Sequence, residues 1–169
     1  QCYLNSLEYC EKVRNERWSA IPLALLGNLA RVQGDYDQAR RLLNKGLQIS
    51  QKYIKVREAA QSNLLLAQVA VETGDDDTAH AKYHDSLVLY EADENREGIA
   101  QALSGLGQLA VKRRDMAQAG GYYRHALERA AEIRAHPLTA QILLYWAKYQ
   151  IKLQQIPAAG LHIFPAGVQ

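Results

Sequence analysis

The sequence is short of most features that mark a specialised chain. Two cysteines in 169 residues, Cys2 and Cys10, exclude a disulfide-built scaffold, and on one helix they could hardly reach each other. No uninterrupted apolar stretch approaches the roughly 18 residues that a membrane span needs. No basic-then-apolar leader precedes a small-residue cleavage site. The chain is therefore expected to be soluble, with no membrane partner, in a reducing and hence cytoplasmic compartment. Neither charge dominates: 20 Lys+Arg against 18 Asp+Glu leave +2, too balanced for a nucleic-acid-binding surface. With 48% hydrophobic and 22% charged residues, the composition is that of a globular chain and not a disordered one. The single methionine is Met116 and the first residue is Gln1, so the chain reads as a fragment or a processed product.

What is present is a repeat. Gly27, Ala67, Gly107 and Ala147 stand forty residues apart, each after a large apolar residue: Leu26, Leu66, Leu106 and Trp146. Twelve residues later come Ala39, Ala79, Ala119 and Ala159, and seven residues earlier Ala20, Ala60, Ala100 and Ala140. Alanine makes up 25 of the 169 residues, so one all-alanine column of four would arise by chance with a probability of roughly 0.0005. Two such columns at one period establish the repeat. It extends backward through the columns Leu7, Leu47, Leu87, Leu127 and Tyr3, Leu43, Tyr83, Tyr123. Residues 1–17 thus form the second helix of a partial repeat, followed by repeats at 20–56, 60–96 and 100–136 and a degenerate or capping repeat at 140–169.

Each unit reads as a helix pair. Leu23, Leu26, Leu29 and Ala30, and likewise Leu103, Leu106, Leu109 and Ala110, recur at steps of three and four. Gly34 with Asp35 and Gly74 with Asp75 then predict a left-handed helix end and a cap for the next helix. Arg114 with Asp115 and Gln154 with Gln155 replace them later. The second helix carries Ala39, Ala79 or Ala119, small enough for close backbone approach, and four residues on Leu43, Tyr83 or Tyr123 fills the space beyond. Polar stretches at 55–58 and 93–97 read as linkers. Pro157 suits a helix start, whereas Pro165 should end any helix there, so 160–169 reads as a short or broken cap.

This pattern resembles the tetratricopeptide repeat (TPR): large then small at positions seven and eight, Ala at twenty, a bulky residue at twenty-four, and Gly46, Ser86 or Ala126 at twenty-seven. The forty-residue spacing is similar to arrays in Pins-type spindle-orientation adaptors, kinesin light chains and the sensor regions of large bacterial ATPase regulators. HEAT repeats share the period but do not require this Leu-Gly with Ala twelve residues on. The resemblance covers residues 1 to about 160. It implies an all-α, right-handed superhelical solenoid of antiparallel helix pairs that binds a protein or peptide partner along a concave groove.

Within that family, position nine points toward the groove; here it is Asn28, Gln68, Gln108 and Lys148. Position two supplies Ile21, Gln61, Gln101 and Gln141 on the same face. Side-chain amides both donate and accept, so a row of them can pair with an extended peptide backbone of any sequence. The alternative is a solvated stripe of good helix formers. Arg31, Glu72, Lys112 and Lys152 fall near the groove and could add charge selectivity. A clamp for a terminal carboxylate is not expected, because only Asn28 matches it, with Ala24, Leu65, Gln101 and Gly105 at the other positions.

No other chemistry assembles. His80 and His84 have a metal-compatible spacing, but Ala81 follows where a zinc protease motif needs Glu, so no metal and no cofactor is expected. Phosphate loop, dinucleotide fingerprint and nucleophile elbow are absent from the sequence, which does not read as an enzyme. Tyr83, Tyr123 and Trp146 occupy repeat-core positions and read as packing residues and not as a base-stacking platform. Two further readings stay open: a regulatory or sensor arm of a larger bacterial signalling ATPase or transcription regulator, and self-association through apolar ends, Tyr3, Leu4 and Leu7 at one and Ile142, Leu143 and Tyr149 at the other.

Overall fold

The computed structural model describes residues 2–12, 15–134 and 136–154. In order these form α1 (Cys2–Lys12), a 3₁₀ turn (Glu16–Trp18), α2 (Ala20–Val32), α3 (Tyr36–Lys52), α4 (Val56–Glu72), α5 (Asp76–Ala92), α6 (Arg96–Lys112), α7 (Met116–Glu132) and α8 (His136–Gln154). The described residues contain no strand, and none of their helices is long and apolar enough to cross a membrane. Expectations for Pro157, Ala159, Pro165 and the 160–169 cap fall outside the described residues.

The period has a simple origin. Helices α3 to α7 each hold 17 residues, and α2 to α6 are each closed by a turn of three. The middle residue of each of these turns is left-handed: Gly34 (φ 82°), Ile54 (52°), Gly74 (80°), Glu94 (51°) and Arg114 (63°), as is Arg134 (52°) after α7. The amide of the third residue reaches back five positions, Asp35 to the Ala30 carbonyl at 2.9 Å, Lys55 to Ser50 at 2.8 Å and Asn95 to Tyr90 at 2.9 Å. This is a Schellman ending. The same third residue caps the next helix: Asp35 accepts from the Gln38 amide, Asp75 from Thr78, Asn95 from Gly98 and Asp115 from Gln118. Hydrogen bonding from Thr78 holds the Asp75 carboxyl below the usual carboxylate range. The expected linkers at 55–58 and 93–97 are therefore corrected to turns at 53–55 and 93–95, and their remaining residues belong to the first turns of α4 and α6.

Helices pair as α2 with α3, α4 with α5 and α6 with α7, and each second helix then packs on the next first helix. First helices also touch one another in series, α2 to α4 to α6 to α8, whereas α3, α5 and α7 do not meet. That asymmetry makes the solenoid concave on its first-helix side. The repeat columns are its packing keys. Ala39, Ala79 and Ala119 are wholly buried, and a Cβ on Gly27 would lie 2.7 Å from Leu43 Cγ. At Gly107 it would lie 2.9 Å from the Tyr123 ring. Small faces large across each pair, so the two backbones close without a void. At the C-terminal end the expectation is corrected: Ile142 and Tyr149 are buried against α7, while Leu143 and Leu144 are the half-exposed pair. Tyr149 is held there by donating its hydroxyl to the Met116 carbonyl at 2.9 Å.

The turn analysis yields a stability prediction. Ile54 is a β-branched residue in left-handed backbone and is 85% exposed, so Ile54→Gly should raise unfolding stability by about 0.5–1 kcal/mol. A Cβ on Gly74 would meet nothing within 4 Å; Gly74→Ala should lower stability by about 1 kcal/mol through backbone strain alone. Urea midpoints for the two variants measure both, and shifts of the same sign would refute the argument.

Candidate functional site

The concave surface holds an open groove of about 460 Å³. Four first helices line it: Asn28 and Arg31 from α2; Gln61, Leu64, Leu65, Gln68, Val71 and Glu72 from α4; Gln101, Ser104, Gly105 and Gln108 from α6; Leu138, Gln141 and Tyr145 from α8. Tyr83 of α5 is the one second-helix residue among them. The repeat makes this convergence inevitable. Positions two, six and nine lie on one side of a helix, and turns of constant length bring that side to the same place in every unit.

The amides are oriented by their own chain. Gln61 accepts the Tyr90 hydroxyl at 2.7 Å, and Asn28 accepts from Arg31 Nε at 3.1 Å. Gln101 donates to Glu97 at 3.4 Å and Gln141 to the Tyr145 hydroxyl at 3.4 Å. Arg31 also makes an ion pair with Glu72 from the neighbouring repeat. These two are the only charged residues lining the groove among the described residues, and their pairing leaves that lining neutral. At its α2 end a smaller apolar notch of about 120 Å³ opens among Ile21, Ala24, Leu25 and Leu65.

Of the twelve residues singled out in the sequence, Asn28, Arg31, Gln61, Gln68, Glu72, Gln101, Gln108 and Gln141 line the groove together, Ile21 lines the notch, and the side chain of Lys152 lies outside those described. Lys112 does not: it is exposed and pairs with Asp76 at 2.6 Å on the rim. Lys148 is also exposed, its ammonium 6.0 Å from the centre of the Tyr145 ring. Position six was missed, and with it Leu65, Gly105 and Tyr145. So was Tyr83, whose burial matches its packing role but whose ring also reaches the groove. Tyr123 is buried as expected, 6.4 Å from the half-buried Trp146 ring. His80 and His84 lie on α5, and no group of three potential metal ligands occurs among the described residues.

A family model described as tetratricopeptide repeat matches residues 18–92. Over those residues the chain is similar to tetratricopeptide repeats (TPR). The crystal structure of BtubC (BKLC) from P. vanneervenii is similar to it, with a TM-score of 0.68 at 17% identity, covering 99% of this chain and 75% of that one. At that identity the likeness shows the fold, a solenoid of helix pairs. No curated protein matches the sequence. The match spans two complete helix pairs, α2 with α3 and α4 with α5, which supply Asn28, Arg31, Gln61 and Gln68 to the groove.

Buried phenols give the helical core an alkaline limit. Burial pushes the Tyr83 phenol up to about 12 and also raises Tyr90 and Tyr123. Unfolded phenols ionise near about 10. Their contribution to stability is therefore complete below about pH 10 and is lost as pH rises toward the folded values. Melting temperature should fall above about pH 10, less steeply in Tyr83→Phe. Phenolate absorbance from these residues should appear together with loss of helix; full phenolate formation in a chain that stays folded would contradict the assignment.

Proposed function

We propose that the chain is a protein-interaction module that holds an extended peptide segment in its concave groove. The observation that carries this reading is the convergence of six side-chain amides from four successive first helices on one neutral groove. Amides present donors and acceptors together, which suits the alternating carbonyls and amides of an extended backbone. TPR repeats in general mediate protein–protein interaction, and the fold supports the same use here. On this reading the module is no enzyme and needs no cofactor; it works in the cytoplasm, where Cys10, buried and free, stays reduced.

Affinity capture from cell lysate tests the proposal, with the parent chain run beside the triple variant Asn28→Ala, Gln68→Ala, Gln108→Ala. A partner should be retained by the parent and weakened by about tenfold or more in the variant, with helical circular dichroism unchanged. Equal retention by both would remove the groove from the function.

A further inference from the structure

We propose that Tyr83 is a specificity-determining residue of the groove, its hydroxyl donating to a backbone carbonyl of a bound peptide that is uncharged where it crosses α4 and α6. This rests on the peptide-groove reading and adds to it a residue and a ligand class. Tyr83 occupies the repeat position held elsewhere by Leu43 and Tyr123, yet of the three it alone lines the groove. The reason is Gly105. Position six is Leu25, Leu65 and Tyr145 in the other units, but a Cβ at Gly105 would lie 2.3 Å from Tyr83 Cζ. The missing side chain lets the end of the ring come through between α4 and α6.

The hydroxyl that arrives there has no hydrogen-bond partner among the described residues, unlike those of Tyr90 and Tyr149. Ser104, which lines the same groove, has a buried Oγ with no hydrogen-bond partner. The Tyr83 hydroxyl is not itself sealed from the groove, so with no protein acceptor it is free to donate to an acceptor brought by a ligand. Its chemistry follows from the surroundings. Arg31 and Glu72 neutralise each other, so a charged ligand side chain at the centre would lose its hydration and gain no counter-ion. A backbone carbonyl meets the need.

To test this, a phage-displayed library of random peptides is selected on the whole chain. Enriched peptides are then measured against wild type, Tyr83→Phe and the pair Gln68→Ala, Gln108→Ala. The enriched sequences should lack charge in their middle. Tyr83→Phe should weaken them by about threefold to tenfold with no change in melting temperature at neutral pH. Replacing peptide amide links singly by esters, whose carbonyls accept less well, should weaken wild-type binding at one link that is silent in Tyr83→Phe. If the amide pair loses affinity while Tyr83→Phe keeps it, or if charged centres are selected, the assignment of Tyr83 is overturned and the groove stands. If no peptide enriches, or the amide pair binds as wild type does, the groove reading falls and this proposal with it.

Discussion

A helix that ends in a Schellman turn and hands its last turn residue to the next helix as a cap has almost no freedom in where that next helix goes. The two hydrogen-bond sets share one residue, so exit and entry directions are fixed together. In this chain the shared residue is Asp35, Asp75, Asn95 or Asp115, while Lys55 makes the turn bond without a side-chain cap. Repeating that turn every twenty residues locks the rotation of each helix relative to the last. The groove depends on this lock, because a helix rotated by one residue turns through about 100° and would carry its amide off the concave face. That Ile54, Glu94 and Arg114 adopt left-handed backbone without glycine shows how strongly the helices on either side dictate the turn.

Charge is distributed to suit this geometry. Glu16 pairs with Lys52, Arg57 with Asp93, Arg96 with Glu132, Asp76 with Lys112 and Asp77 with Arg113, each pair 36 residues apart and close to the turns. A separation four short of the period joins the beginning of one helix to the end of the next helix along the chain, within a unit for Arg57–Asp93 and Arg96–Glu132 and between units for Asp76–Lys112 and Asp77–Arg113. Exposed pairs of this sort contribute roughly 0–1 kcal/mol each, so they align neighbouring turns more than they hold the fold. The Asp76 pair does occupy Lys112 at the groove's rim. Among the described residues the groove lining itself is amides, hydroxyls and apolar side chains with the one Arg31–Glu72 pair.

Most of the architecture was legible because its keys are local. Columns of Ala and Gly every forty residues locate the close approaches, and the amides two and nine places along each first helix follow from helical geometry. The rest involves partners that only the fold brings together. Lys112 looked available to the groove because Asp76 lies 36 residues away in sequence and next to it in space. The polar stretches at 55–58 and 93–97 looked like linkers because neither begins with the glycine that marks the turns at Gly34 and Gly74. Tyr83 was correctly placed in the core, but its second role needs Gly105 on a different helix. The sequence did carry a sign of it: a glycine at a position filled by Leu25, Leu65 and Tyr145 in the other units.

The same comparison separates what the groove repeats from what it varies. Positions two and nine hold amides in most units, whereas position six runs from leucine through glycine to tyrosine. The uniform rows match the uniform part of any peptide, its backbone, and several of their amides are already oriented by Tyr90, Arg31, Glu97 and Tyr145. Orientation before binding lowers the entropy lost when a ligand is held. The varied row lies between them, where ligand side chains would contact it, and it changes shape from one helix to the next. A solenoid of near-identical units can thus grip without regard to sequence along its edges and select along its centre line. In this chain the selective step is steepest at α6, where the side chain is removed altogether and its place is taken by a phenol from behind.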